Sequence, residues 1–225
     1  MFKNTLILEY RPEPLNNHRL TREQIIVSEN GIEQDPFTLF MKWFRDAERA
    51  VTLGDVNAMC VATATPDGKP SARIVLLREV DYRGFIFYTN YDSRKGREIA
   101  VNPYVAAVIH WKELDRQIRI TGKVHKVSRK ESEAYFASRP VQSRISAVIS
   151  PQSRVIPGRE FLESAREQFV REMAGPDDVK CPSNWGGYRI VPDEIEFWQG
   201  REHRFHDRIA YIRKGKNWLI RRLAP

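Results

Sequence analysis

Apolar residues recur along this chain in two rhythms. Phe37, Phe40, Met41, Phe44 and Ala47 fall three and four apart, which gathers them on one face of a helix. Asp35-Pro36 directly before them is a good start signal, with Asp as the cap and Pro in the first turn, so a helix is predicted to about Val51. After it the period shortens to two. Residues 57–64, 70–79 and 85–90 read as strands joined by turns at Pro66-Asp67-Gly68-Lys69 and Asp81-Tyr82-Arg83-Gly84, an antiparallel meander. Ser93 is placed to cap a short helix opening with Arg94. Strands over roughly 104–111 and 115–127 follow. Ser128 starts a helix to about Ser138, Arg139-Pro140 ends it, and Gln142-Ser143-Arg144 opens another reaching about Ser150. Residues 158–173 form an amphipathic helix expected to lie on the barrel surface. The closing third reads as four strands, 186–191, 194–199, 207–213 and 217–222, the last two joined by a Lys214-Gly215-Lys216-Asn217 hairpin.

About eight strands with helices between and around them predict a mainly β fold with helices (α+β), an antiparallel barrel with peripheral helices. Residues 1–34 are polar and irregular, with Pro12, Pro14, Asn16, Asn17 and Gly31, and read as an N-terminal arm. Residues 35–225 read as one domain, long enough to bury roughly 70% of the surface the unfolded chain exposes.

Charge changes this picture. The formal net charge is +8, yet Lys and Arg are dispersed, with no run of five and no recognisable zinc-finger or RNA-binding motif. That favours discrete phosphate sites over nucleic acid. Apolar runs such as residues 73–77 are far too short to span a bilayer, and the N-terminus lacks the long apolar stretch of a secretory signal. Cys60 and Cys181 make neither a disulfide framework nor a metal site, and Cys60, inside an apolar run, reads as a core residue. A reducing, cytoplasmic setting is expected, with no metal, membrane or nucleic-acid partner.

Candidate chemistry gathers in three places. In residues 196–208, Arg201, His203, Arg204, His206 and Arg208 fall within eight positions after Phe197-Trp198. Were this segment extended, Arg204, His206 and Arg208 would share one face, either as a receptor for a planar phosphorylated anion or as a solvated basic strand before a turn. Ser93-Arg94-Lys95 puts two cations at a helix N-terminus, a phosphate site or a local surface feature. Tyr135, Arg139 and Ser143 are spaced four apart. If the chain stays near-helical through Pro140 they form a phosphate cradle; otherwise they are a surface face with a core Tyr.

Together these pieces resemble the pyridoxine (pyridoxamine) 5′-phosphate oxidase family. The matching stretches are Arg73-Ile74-Val75-Leu76-Leu77, Phe87-Tyr88-Thr89-Asn90, Ser93-Arg94-Lys95, Arg116-Gln117, Tyr135-Phe136, Ser138-Arg139-Pro140, Trp185-Gly186-Gly187, Glu196-Phe197-Trp198-Gln199-Gly200, Arg204-Phe205-His206-Asp207-Arg208 and Arg222-Leu223-Ala224-Pro225, in the family's order. The resemblance implies a split β-barrel that binds FMN at the interface of a homodimer. It implies FMN contacts at Arg73, Ile74, Val75, Leu76, Tyr88, Thr89, Arg94, Lys95, Gln117, Gln152, Ser153, Trp198 and Arg208. Arg78, Tyr135, Arg139, Ser143, Arg204, His206 and Tyr10 are implied in substrate binding, with Arg204, His206 and Asp55 as the catalytic candidates. Arg201 and His203 are left as solvated loop residues. The implied reaction removes a hydride from C4′ of pyridoxine or pyridoxamine 5′-phosphate to FMN, and O2 is then reduced to H2O2.

Two departures stand out. Arg78 occupies a position where the family usually has Lys, and a forked guanidinium is not a neutral replacement for an ammonium. Tyr10 matches an arm residue that closes over substrate, but Leu6, Ile7 and Leu8 upstream include no Arg. Two rival readings remain: a related flavin oxidase acting on another aromatic substrate, and a non-catalytic or low-activity protein that binds FMN or pyridoxal phosphate.

Overall fold

The structure, a computed structural model, describes Leu6–Ile7 and residues 32–225. The N-terminal arm, and Tyr10 with it, lies almost wholly outside the described residues. Helix α1 (Pro36–Ala50) begins where the start signal places it. Asp35 caps it, its carboxylate accepting from the Thr38 backbone N–H at 2.9 Å. Its apolar face buries Phe37, Phe40, Phe44 and Ala47, with the Phe40 and Phe85 rings edge to face at 5.1 Å. Burial of each such ring contributes about 1.5–3 kcal/mol.

Strands β2 (Ala58–Ala64), β3 (Pro70–Asp81) and β4 (Gly84–Asn90) form the predicted meander. Helix α2 (Arg94–Val101) leads to β5 (Tyr104–Trp111) and β6 (Arg116–Lys126). Three helices follow, α3 (Arg129–Ser138), α4 (Val141–Ile149) and α5 (Arg159–Glu172), then β7 (Trp185–Gln199), β8 (Asp207–Lys214) and β9 (Asn217–Arg222). Strand β4 pairs with β3 on one edge and β7 on the other. The six strands β3-β2-β5-β6-β7-β4 therefore close into an antiparallel barrel. Strands β8 and β9 extend the sheet beyond β7, and β1 (Leu6–Ile7) adds to the edge of β3.

Three expectations change. The strands predicted at 186–191 and 194–199 are one 15-residue strand, β7; Pro192 sits where the β6–β7 register shifts, opposite Gly122, and bends the strand without ending it. Helix α5 packs on α4 rather than on the barrel: Arg166 donates to the Gln142 side chain, and Phe169 joins the cluster around Phe136 and Ile145. Cys60 is half-buried and outside the core, because the alternation of β2 points Met59, Val61 and Thr63 inward and Cys60 outward. Among the described residues no helix is long and apolar enough to cross a membrane.

Candidate functional site

A cavity of about 470 Å³ opens between the β3–β4 edge of the barrel and α3–α4. Strand β3 contributes Ile74, Val75, Leu76 and Arg78; β4 contributes Tyr88, Thr89 and Asn90. Lys95 enters from α2, Tyr135 from α3, Ser143 from α4, Gln152 from the following loop, and Arg139 from the α3–α4 junction. Among the described residues, three cations (Arg78, Lys95 and Arg139) line it and no carboxylate does. Such a wall favours anionic ligands.

The Tyr135–Arg139–Ser143 trio converges, but not through a continuous helix. Arg139 is extended (φ −75°, ψ 149°) and Pro140 caps α4, so the chain breaks between the two helices. The residue before a proline is pushed out of the helical region, and that kink brings the guanidinium to the cavity. Its Cζ lies 4.8 Å from the Trp185 ring centre, and its Nη1 is buried with no partner among the described residues. Burial pulls Arg139 below its usual pKa, with Arg78 nearby adding repulsion and Tyr135 opposing the shift. A buried guanidinium nitrogen left unpaired is costly and fits a phosphate.

Lys95 is held similarly. Ser93 caps α2, accepting from the Gly96 N–H, and the Lys95 ammonium reaches neutral acceptors only: Thr89 Oγ1 at 3.1 Å, Gln152 Oε1 at 3.2 Å and Ser93 Oγ at 3.4 Å. Burial, with Arg73 as a secondary cause, pushes its pKa down to about 8. Tyr88 and Tyr135 stack with centroids 3.8 Å apart, and the Tyr88 hydroxyl donates to Glu79 at 2.7 Å, which with burial drives its pKa up. Asn90, Ser146, Ala147, Ser150 and Trp185 also line the cavity. None was among the sequence candidates, although Ser146 and Ser150 continue the helical spacing begun at Ser143.

Arg73 and Arg94 do not line the cavity. The alternation of β3 puts Arg73 opposite Val61, where it donates to Thr63 Oγ1 at 2.6 Å and Ser71 Oγ at 2.5 Å and pairs with Glu98 at 3.5 Å. Arg94 pairs with the same Glu98 at 2.9 Å. Burial raises the Glu98 pKa, but hydrogen bonds from Ser71, Thr63 and Arg94 outweigh it and hold the carboxyl at about 2. Ser153 is an exposed left-handed residue (φ 68°) beside Gln152. Asp55, expected as an active-site acid, is exposed in the loop before β2 and outside the cavity lining.

The remaining candidates form a second patch. Gln117 is opposite Trp198 in the β6–β7 ladder, and Trp198 is opposite Arg208 in the β7–β8 ladder, so the three share one face. Arg208 is bidentate to buried Glu196, at 2.8 and 3.1 Å. The His206 ring lies 4.7 Å from that of Trp198. The segment before β8 is not extended, so the condition for a shared face is not met. Glu202–Arg204 is a 3-10 turn in which His203 (φ 54°) and Arg204 (φ 63°) are left-handed, so Arg204, His206 and Arg208 do not alternate along one strand face. Arg204 is exposed, and His206 faces a separate depression floored by the C-terminal residues. None of these second-patch residues lines the first cavity.

Comparison with known proteins covers the stretches of chain that carry both patches. Residues 45–170 fit the family model described as pyridoxamine 5′-phosphate oxidase, and residues 185–225 fit that of the pyridoxine 5′-phosphate oxidase C-terminal dimerisation region. A pyridoxine/pyridoxamine 5′-phosphate oxidase of Gloeothece citriformis is 52% identical over 200 residues, covering 88% of this chain and 92% of its own. PhzG of Burkholderia lata 383, solved with tetrahydrophenazine-1-carboxylic acid, superposes with a TM-score of 0.82 at 30% identity, over 89% of this chain and 98% of its own. A pyridoxamine 5′-phosphate oxidase-related, FMN-binding protein from Nostoc punctiforme shares the fold, with a TM-score of 0.68 at 17% identity over 84% of this chain and 98% of its own.

Proposed function

The chain belongs to the pyridoxamine 5′-phosphate oxidase family, and from that premise we propose that it oxidises pyridoxine and pyridoxamine 5′-phosphates to pyridoxal 5′-phosphate, reducing O2 to H2O2. It is a flavoprotein, and its cofactor is FMN. When bound, FMN supplies the two-electron acceptor that amino-acid side chains lack. The observation carrying the reading is the cavity wall, which among the described residues holds three cations, no carboxylate and a buried Arg139 nitrogen without a partner.

The roles divide by patch. Lys95, with Thr89 and Gln152 around it, suits the FMN phosphate at the mouth of α2. Arg73 and Arg94 stand behind it, held by Glu98. Tyr135, Arg139 and Ser143 suit the substrate phosphate, with Arg78 beside them. Each charge-assisted contact in such a partly dry site contributes about 1.5–3 kcal/mol. Gln117, Trp198, Arg204, His206 and Arg208 act in the cavity of a second copy, so the working unit is a homodimer with FMN where the copies meet. There Arg204 and His206 orient the ring and its reacting carbon, a proximity effect that needs no covalent step by the protein. The catalytic domain is residues 35–225, with residues 1–34 as its arm, and the setting is cytoplasmic.

An absorbance spectrum of the purified protein, followed by anaerobic titration with pyridoxine 5′-phosphate, tests this. A flavin spectrum bleached by about one equivalent per site is expected. A flavin that stays oxidised would point to a binding protein instead. Because the 30% identical PhzG holds tetrahydrophenazine-1-carboxylic acid, the second reading is oxidation of another anionic ring compound. Bleaching by a reduced phenazine carboxylate and not by the phosphate ester would establish that one.

A further inference from the structure

The turn that carries Arg204 and His206 is strained, and something must hold it. His203 and Arg204 are consecutive left-handed residues, each costing about 1–3 kcal/mol unless the surroundings impose that conformation. The restraint comes from Asp207. Its Oδ2 accepts from Arg201 Nε at 2.7 Å on the near side of the turn, and its Oδ1 accepts from Arg222 Nη1 at 2.5 Å, at the end of β9. Arg201 in turn donates its backbone N–H to His206 Nδ1 at 3.1 Å. The Trp198 ring lies tilted against the imidazole, with centroids 4.7 Å apart. The C-terminal tail closes the assembly, with the Ala224 carbonyl accepting from Arg208 and the Leu223 N–H donating to the Arg208 carbonyl.

A histidine whose Nδ1 accepts a hydrogen bond carries its ring proton on Nε2 when neutral. We propose that Asp207 and Arg222 are positioning residues that, through Arg201, fix His206 as the Nε2–H tautomer with that N–H turned outward as a donor. The proposal rests on the function argued above for its consequence in turnover, but the tautomer itself is a property of the fold. It gives the last strand a purpose beyond pairing: Arg222 tethers the far end of β9 to the turn that holds the reacting end of the substrate. The donor suits an electron-rich oxygen or nitrogen on the substrate ring, and a rotated or flipped imidazole would present an acceptor instead.

The test uses the FMN-loaded full chain with 15N-labelled histidine. The spectrum of His206→Gln identifies the His206 signals by their loss. In the wild type the neutral ring should show the Nε2–H pattern. Asp207→Asn and Arg222→Gln should each give mixed tautomers and a kcat lowered about tenfold or more, with KM and flavin content little changed, as displacement of a positioned group does. Arg222→Lys should recover part of the loss. Arg222 is at a partly exposed strand end, so its variants keep the question open to refutation if Asp207→Asn does not fold. Unchanged tautomer and kcat in Arg222→Gln would overturn the proposal. So would a loss of kcat that merely tracks lost flavin or lowered Tm. A wild-type protein that binds FMN, shows the Nε2–H form and oxidises neither phosphate ester would sink the proposed function and leave the tautomer assignment standing.

Discussion

The ammonium of Lys95 lies 3.2 Å from the side-chain oxygen of Gln152, two residues 57 apart in sequence that meet in the wall of the cavity. Among the described residues no carboxylate is a hydrogen-bond partner of it, and burial pushes its pKa down from 10.5 to about 8. Below pH 8 the group is charged and ready for a phosphate; above it, binding must first take up a proton. FMN affinity should therefore fall as pH rises above about 8, by at most tenfold per pH unit. The apo protein should move the other way. The unfolded chain holds this proton up to pH 10.5, so the cost of burying the ammonium eases as pH rises from about 8 to 10.5. Flavin-fluorescence titrations of apo protein across this range check it, with Lys95→Gln as control. An equal slope in the variant would show that another group is responsible.

Arg139 offers a ligand phosphate a buried nitrogen that has no partner among the described residues. Arg139→Ala should raise KM for pyridoxine 5′-phosphate about tenfold or more while FMN remains bound. Arg139→Lys keeps the charge but loses the fork and the stacking on Trp185, so it should restore only part of the affinity. Steady-state oxygen uptake reads both. If the two variants bind the ester as the wild type does, the phosphate sits elsewhere.

Gly96 lies in the first turn of α2, where an added Cβ would come within 2.0 Å of the Tyr91 carbonyl oxygen. Backbone cannot yield as a flexible side chain can. Gly96→Ala should push the α2 N-terminus off its seat and weaken FMN binding about tenfold or more, since a shift of about 1 Å is enough for that. Flavin content after dialysis is the measurement, and full retention would refute the argument.

Arg116 is the largest fully buried side chain among the described residues. It pairs with Asp46 at 2.9 Å, donates from Nε to the Gln199 side-chain oxygen at 2.9 Å, and packs 4.5 Å from the Trp43 ring centre. Asp46→Ala leaves a buried cation without its partner and should cost about 3 kcal/mol, whereas Arg116→Met, which removes the charge itself, should cost less. Thermal melts of both variants decide the order.

Much of this was legible in the sequence because it is local. The Asp35-Pro36 start, the Ser93 and Ser128 caps and the two-residue rhythm of the meander each depend on neighbours a few positions apart, and each stands where expected. Barrel closure was not legible at the level of pairing, since β4 meets β7 across roughly a hundred residues. The same limit affected the site. Arg73 is drawn to Glu98, and Arg208 to Glu196, by partners that strand alternation alone does not reveal. The 200–206 turn misled for another reason. Left-handed His203 and Arg204 are uncommon conformations for residues that carry side chains, so the local pattern does not announce the break they make.

The separation of the two patches carries a genetic consequence. Arg139 and His206 do not share a cavity within one chain. If two copies build each site, a chain damaged at Arg139 and another damaged at His206 are each impaired alone, yet not equivalent. Co-expressed, they pair into mixed dimers in which one site inherits both lesions and the other neither. Random pairing would restore about one site in four. Two loss-of-function alleles of this protein would then complement each other when they fall in different patches, and fail to when they fall in the same one.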